Sequence, residues 1–348
     1  MTGPVIGAAD RRVLCLVPAH DEEATIGLTV KSLSRVWAIS EIVVVADGCT
    51  DRTAAEASAA GARVLAGQQR LGKGRALDAA IDRVERPHTF VLVDADTGEP
   101  RARLNVGKSA SSLAAGFNSV WVTKAKTRTV FRYNARSHRR VAGGSVEIAR
   151  PGQNIAVVTG ARAVWVGVRN DDPDDRSAET VVRIDPSART QQPIQVAGGV
   201  QDLAVGEGAV WVSNRFGSTV TRIRVSDGRQ DVVRVGAGPK GIAVGEGAVW
   251  VASSGADEIT RINPRSLEKK SIALGAIPER VTVGGGSIWV TAKEAGRLIR
   301  IDARTRKVLE RIDTGPRPYA LDVTRGRAVW LTILDANGLQ RVRFHRPR

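Results

Sequence analysis

Sulfur-containing side chains, tyrosine and histidine are scarce in this 348-residue sequence, which has one Met, two Cys, two Tyr and four His. Two cysteines, Cys15 and Cys49, are too few for a disulfide framework, so we expect reduced thiols and a cytoplasmic location. No apolar run approaches the roughly 18 residues that a transmembrane helix needs. No apolar segment follows a basic start either. The sequence therefore predicts neither a signal peptide nor a transmembrane helix.

Acidic residues are scarce only after residue 100. Residues 1–100 carry 11 Lys and Arg against 14 Asp and Glu, whereas residues 101–348 carry 41 against 22. The net charge of +16 is thus concentrated in the second part, and this change in charge favours two domains. Such a basic surface favours a protein, glycan or polyanion partner, or peripheral contact with an anionic membrane. A solvated basic face without any partner is the simpler interpretation.

Short apolar runs alternate with helical patterns over the first hundred residues. The runs VLCLVP, EIVVVAD, ARVLAG and FVLV are predicted strands, and Ile26, Val30, Leu33 and Val36 have the spacing of one helix face. A short helix is predicted at 54–60 and a third one in GKGRALDAAIDRV. This alternation is typical of a parallel, Rossmann-like α/β sheet. Ligands bind such sheets at the carboxyl ends of the strands. The polar clusters all follow strands, at 20–22, 47–48 and 94–96.

Four motifs occur in order in this region: VPAHDEEATIG, VVVADGCTDRT, GKGRALD and VDADT. Together they resemble the family 2 glycosyltransferases, and the likeness is greatest to the cellulose-synthase-like members. The resemblance covers about residues 11–97. It implies part of a GT-A domain that binds a UDP- or GDP-sugar together with Mg²⁺ or Mn²⁺.

The resemblance also implies roles for individual residues. Pro18 and Glu22 would line the base and ribose, and Asp47 would face the uracil or ribose. Lys73 would lie near the base or the phosphates. The first Asp of the family's DDG turn is Ala46 here, so one contact with the base would be missing.

Asp94 and Asp96 would be the DxD pair of the family, which holds the diphosphate through the metal. Carboxylate oxygens are hard ligands that suit Mg²⁺ or Mn²⁺. The alternative is that both residues are only turn residues after the strand FVLV.

A different pattern begins near residue 103, where a motif of the kind Gly-x-Val-Trp-Val recurs. Its tryptophans are separated by 44, 46, 39, 39 and 41 residues and lie at Trp121, Trp165, Trp211, Trp250, Trp289 and Trp330. A period near 40 with short strands and Gly turns predicts a β-propeller. The pattern resembles the YncE-like, NHL-like and streptogramin-lyase-like propellers. The identical position of each Trp predicts packing inside and between blades rather than a platform for sugars.

The number of strands in the repeats predicts six blades. Five units have four strands each, and the last unit has only three before the chain ends. We expect ARLNV (102–106) to supply the missing strand and close the last blade, since closure hides sheet edges. FVLV would then be the fourth strand of the α/β sheet. The predicted organisation is a tail (1–10), a partial GT-A domain (11–98) and a six-bladed propeller (102–348), with a junction between two unrelated segments at 96–100.

The position of the junction decides what activity we expect. A complete family 2 domain continues after DxD with an acceptor site and a general base, and no such motif follows Glu99. The first segment should therefore bind a nucleotide sugar without transferring it, or fold poorly. If it were active, it would be an inverting glycosyltransferase. The alternative is a non-catalytic propeller that carries a vestigial first domain. Lyase chemistry is not expected, because the second part has only His138 and His345 and no paired base.

Overall fold

The structure is a computed structural model of the chain. It describes residues 13–36, 39–67, 69–70, 88–93, 100–107, 110–124, 127–149, 152–169, 179–196, 198–324, 328–334 and 338–345. Two compact units divide between Arg86 and Pro87.

The first unit contains a parallel sheet whose described strands are β1 (Val13–Ala19), β2 (Ile39–Asp47) and β3 (Arg63–Gly67). They lie side by side in the order β1-β2-β3. The central strand is the most apolar, and its residues 42–45 are all buried. A fully apolar strand is expected where both faces of a parallel sheet are covered.

Two short helices connect these strands, α1 (Ile26–Leu33) and α2 (Thr53–Ala59). Ile26 and Val30 of α1 pack with Val44 in the core of this unit, as the helical spacing predicted. The prediction was wrong at Val36, which lies beyond the end of α1 and is 44% exposed. The third predicted helix lies outside the described residues.

A two-stranded antiparallel sheet belongs to the second unit. It consists of β4 (His88–Val93) and β5 (Pro100–Gly107).

The rest of the second unit is a β-propeller of six blades. Five antiparallel sheets have four strands and the sixth has three described strands. Blade 1 has β6 (Ala110–Gly116), β7 (Ser119–Lys124), β8 (Thr129–Asn134) and β9 (Val146–Glu147). Blade 2 has β10 (Gln153–Gly160), β11 (Ala163–Arg169), β12 (Glu179–Ile184) and β13 (Gln191–Val196). Blade 3 has β14 (Val200–Gly206), β15 (Ala209–Asn214), β16 (Thr219–Arg224) and β17 (Gln230–Arg234).

The remaining blades follow the same plan. Blade 4 has β18 (Pro239–Gly245), β19 (Ala248–Ser253), β20 (Glu258–Ile262) and β21 (Lys269–Ala273). Blade 5 has β22 (Arg280–Gly284), β23 (Ser287–Ala292), β24 (Arg297–Asp302) and β25 (Val308–Asp313). Blade 6 has β26 (Pro318–Thr324), β27 (Ala328–Ile333) and β28 (Gly338–Arg343).

The first five repeated tryptophans pack in cores shared with the next blade, which confirms the prediction made from their position in the repeat. Trp211 of blade 3, for example, packs with Ile242 and Val251 of blade 4. Each of the first five donates a hydrogen bond from Nε1 to a glycine carbonyl five positions earlier in the chain, as Trp250 does to Gly245 at 3.2 Å. An arginine from the next strand of the blade lies over each of the six rings. The hydrogen bonds to the glycine carbonyls thus satisfy the indole N–H groups of these five tryptophans inside the core, as a buried Trp requires.

The prediction for the strand at 102–106 was wrong. It lies within β5, which pairs with β4, and not with the three strands of blade 6. For the same reason FVLV, which lies in β4, is not a strand of the β1-β2-β3 sheet. Only residues 94–99 separate β4 from β5 in the sequence. Pairing of β5 with β4 therefore closes a far shorter loop than pairing of β5 with β28 would.

Neither described helix is long and apolar enough to cross a membrane.

Candidate functional site

Polar loops follow β1 and β2 at the same edge of the first unit's sheet. Ala19, the last residue of β1, pairs in register with Ala46 of β2. The segments 20–23 and 47–51 therefore leave the sheet side by side. They contain most of the acidic residues that the sequence predicted to lie at the carboxyl edge.

Hydrogen bonds tie the two loops to each other. The Thr50 backbone N–H donates to Asp21 Oδ1 at 2.7 Å, and the Glu23 backbone N–H donates to Asp51 Oδ2 at 3.0 Å. In return, the Arg52 backbone N–H donates to Glu23 Oε2 at 2.9 Å. Each carboxylate thus fixes the backbone of the opposite loop. These hydrogen bonds restrain the two loops relative to each other.

Thr53 connects these loops to the first turn of α2. Its buried side chain accepts a hydrogen bond from the Glu22 backbone N–H at 2.6 Å and donates to Asp51. Burial acts to raise the pKa of Asp51, but hydrogen bonds from Thr53 and Glu23 outweigh it, so the pKa is lowered. Asp51 is therefore a carboxylate acceptor near neutral pH, as its position in the network needs.

Gly48 allows the second loop to pack closely against the loop after β3. Its φ is +62°, and a Cβ at this position would collide with the backbone nitrogen of Arg70. Only glycine adopts this conformation freely and leaves this space. The glycine therefore determines the course of the chain between Asp47 and Cys49.

Three residues predicted to bind the nucleotide lie at this edge. Pro18 is half-buried near the end of β1, and Asp47, the last residue of β2, is 5% exposed. Glu22 is exposed, and its carboxylate accepts a hydrogen bond from Thr25 Oγ1 at 2.7 Å. The other predicted site residues, Lys73, Asp94 and Asp96, lie outside the described residues.

Cys49 is a component of this edge to which the sequence assigned no role. Its sulfur, a ring nitrogen of His20 and a carboxylate oxygen of Asp21 lie within 4.8 Å of one another. Sequence reasoning placed His20 and Asp21 after β1 but did not bring Cys49 to them. The signal was its position two residues after Asp47, at the end of the neighbouring strand.

A second charged cluster lies on the first strands of the propeller blades. Arg280 of blade 5 donates hydrogen bonds to Asp202 of blade 3 and to Tyr319 of blade 6, both at 2.9 Å. Lys240 of blade 4 forms a 2.6 Å ion pair with Glu279. Burial raises the pKa of Asp202, and the Arg280 guanidinium opposes that shift. These residues come from different repeats, so no local motif predicted the cluster.

Comparison with known proteins identifies the two parts separately. Residues 15–105 match the family model of glycosyl transferase family 2. The chain is 38% identical over 101 residues to glucosyl-3-phosphoglycerate synthase of Mycolicibacterium paratuberculosis, which covers 26% of this chain. The chain spans about 30% of the length of that curated relative. The first part is therefore glycosyltransferase-like, and it is fused to a β-propeller.

Solved structures similar to the chain support the propeller fold. Virginiamycin B lyase of Staphylococcus aureus, a catalytically inactive variant with quinupristin, has a TM-score of 0.63 and 15% identity over 74% of this chain and 88% of its own. Hydrazine synthase of Kuenenia stuttgartiensis has a TM-score of 0.64 and 11% identity over 75% and 90%. BamB of Moraxella catarrhalis has a TM-score of 0.51 and 16% identity over 76% and 79%. Identities this low show a common fold alone.

Proposed function

We propose that the glycosyltransferase-like part binds a nucleoside diphosphate sugar at the carboxyl edge of β1 and β2. The observation that carries this proposal is the hydrogen-bonded pair of loops at 20–23 and 47–53, within the segment that matches the family. In this proposal Pro18 and Glu22 line the base and ribose, and Asp47 faces the base or ribose.

Asp94 and Asp96 are proposed to hold Mg²⁺ or Mn²⁺, and Lys73 is proposed to lie near the phosphates. The two carboxylates directly follow β4, and their oxygens are donors that suit either ion. The ion would neutralise the diphosphate. Variants of these two residues test this part of the proposal directly.

Glucose is the sugar we propose for the donor. The relative from Mycolicibacterium paratuberculosis is named as a glucosyl-3-phosphoglycerate synthase.

The family match ends at residue 105, and the blades begin at Ala110. We therefore expect binding of the donor without transfer.

The free cysteines Cys15 and Cys49 fit a reducing compartment, and we propose that the protein is located in the cytoplasm.

Calorimetric titration of the full chain with UDP-glucose and GDP-glucose, with and without Mn²⁺, tests this proposal. We expect saturable binding of one nucleotide. Both withdrawal of Mn²⁺ and the double variant Asp94→Ala/Asp96→Ala should weaken it by at least about tenfold, which corresponds to about 1.4 kcal/mol.

The double variant Asp227→Ala/Asp313→Ala is the matched control, because it removes two carboxylates from the propeller. It should bind as the parent chain does. Far-ultraviolet circular dichroism establishes that each variant is folded. Absence of heat with both nucleotides, or undiminished binding by the Asp94/Asp96 variant, would contradict the proposal.

A second candidate function is that of a non-catalytic binding module. The excess of 41 Lys and Arg over 22 Asp and Glu after residue 100 favours it, since such a charge attracts polyanions. In that case the propeller carries the function and the first part is vestigial.

A further inference from the structure

Nitrogen, oxygen and sulfur ligands converge at the carboxyl edge of β1 and β2. His20 and Asp21 follow β1, and Cys49 follows β2. One ligand atom from each lies within 4.8 Å of the other two. His20 and Cys49 are half-buried and Asp21 is exposed, so the group is open to solvent on one side.

The hydrogen bonding of His20 leaves a lone pair facing the other ligands. His20 Nδ1 lies 2.8 Å from the backbone carbonyl oxygen of Asp47. A carbonyl only accepts, so Nδ1 carries the proton and the neutral ring has its lone pair on Nε2. A backbone carbonyl that fixes the tautomer in this way is the usual outer partner of a metal-binding histidine.

The carboxylate of Asp21 offers a second lone pair close to His20 Nε2. Its Oδ2 lies 3.6 Å from His20 Nε2, which is beyond hydrogen-bond range. The carboxylate is held there by Thr50, whose backbone N–H donates to Oδ1 at 2.7 Å and whose hydroxyl lies 3.3 Å from both oxygens. Asp21 also has a φ of 51°, a conformation unusual for a residue with a side chain. A metal ion held by both atoms would remove any repulsion between the Nε2 lone pair and the carboxylate.

The separation of the His20 and Asp21 ligand atoms suits a tetrahedral transition-metal ion. Metal–ligand bonds of about 2.0–2.3 Å at tetrahedral angles place neighbouring ligand atoms roughly 3.3–3.8 Å apart, and the His20–Asp21 separation is 3.6 Å. The Cys49 thiol donates a hydrogen bond to the Ala19 carbonyl oxygen at 3.5 Å, which holds the sulfur beside the end of β1. Sulfur favours Zn²⁺ and similar ions over Mg²⁺ or Mn²⁺.

We propose that His20, Asp21 and Cys49 bind Zn²⁺ or a similar transition-metal ion, with the fourth coordination position open to solvent. This site is separate from the one proposed for Asp94 and Asp96. Its donor set differs, and it does not depend on nucleotide binding. A metal held here would be bound by the same two loops that are proposed to bind the nucleotide.

Titration of the full chain with Co²⁺, a spectroscopic substitute for Zn²⁺, tests the proposal. We expect a thiolate-to-metal charge-transfer band in the near ultraviolet and intense visible bands typical of tetrahedral Co²⁺, both removed by added Zn²⁺. Cys49→Ser should abolish the charge-transfer band. His20→Gln and Asp21→Asn should weaken Co²⁺ binding by about 100-fold or more, since loss of an outer partner alone costs about 10–100-fold.

Two control variants test whether the spectrum comes from this group of ligands. Cys15→Ser removes the other cysteine, which lies within β1, and should leave the spectrum unchanged. Asp94→Ala/Asp96→Ala should also leave the spectrum unchanged while it weakens nucleotide binding by at least about tenfold, so each proposal can fail without the other. A missing charge-transfer band, a band retained by Cys49→Ser, or a band lost in Cys15→Ser would overturn the proposed site.

Discussion

Glu179 is an acidic residue buried in the core of the propeller. It begins β12, is 3% exposed and accepts a hydrogen bond from the Val200 backbone N–H. Burial raises the pKa of Glu179 to about 7, although Arg169 acts in the opposite direction. At pH values below the ordinary pKa of a glutamate, Glu179 is protonated in both the folded and the unfolded chain. Between that value and about 7 only the unfolded chain loses its proton, so the free energy of unfolding falls as the pH rises.

The variant Glu179→Gln should remove this pH dependence. The parent propeller should lose up to about 3 kcal/mol between pH 5 and pH 8 through this residue. The variant should lose correspondingly less and be the more stable of the two at pH 8. Urea unfolding followed by tryptophan fluorescence measures this, since six of the seven tryptophans belong to the blades.

Glu207→Gln, at an exposed turn of the same unit, is the matched control and should keep the parent's pH dependence. Equal slopes for the parent and Glu179→Gln would show that Glu179 is not buried as described.

At the scale of elements, the loop after β2 depends on a glycine for its course. Gly48 and Gly61 both have positive φ values, +62° and +99°. A Cβ would meet the backbone of Arg70 at Gly48 but nothing within 4 Å at Gly61. A comparison of alanine substitutions at these two glycines therefore separates the cost of backbone strain from the cost of a steric collision.

Gly48→Ala should destabilise the first unit more than Gly61→Ala does. The strain common to both costs about 1–2 kcal/mol, and only Gly48→Ala must also displace the segment at 69–70. Hydrogen exchange of peptides from 13–67, measured by mass spectrometry, reports this difference. Gly48→Ala should also weaken nucleotide and Co²⁺ binding, because the loop carries Asp47 and Cys49. Equal effects of the two variants would contradict the close packing of Gly48.

The pairing of β4 with β5 was not predicted from the sequence pattern. The predicted closure of blade 6 by 102–106 came from the number of strands in the repeats, which does not tell how each strand pairs. The family match extends through Asn105, so it includes β4 and most of β5 and passes the junction predicted at 96–100. A local hairpin has a lower entropic cost than a contact between distant segments.

At the scale of the whole molecule, charge distinguishes the two proposed functions. The excess of basic residues lies entirely after residue 100. Binding to a polyanion would release counterions, and the logarithm of its affinity would fall linearly with the logarithm of salt concentration.

We expect the full chain to bind dextran sulfate in a salt-dependent manner and not to bind uncharged dextran. Fluorescence anisotropy of labelled polymers over a series of salt concentrations measures both. Binding that is insensitive to salt, or equal for the two polymers, would contradict an electrostatic role for the basic propeller. Unchanged dextran sulfate binding by Asp94→Ala/Asp96→Ala would place that interaction apart from the nucleotide site.

The sequence by itself determined the features that repeat or that depend on neighbours along the chain. The spacing of the tryptophans predicted the blades and the burial of their rings, because each blade buries the same position against the next. The apolar run at 42–45 predicted a buried strand of a parallel sheet, because such a strand is covered on both faces. Only the tertiary structure decided which distant groups meet. Cys49 reaches His20 because β1 and β2 end level with each other, and Arg280 reaches Asp202 because first strands of different blades converge. Neither contact has a local pattern, since both depend on where the chain returns in space.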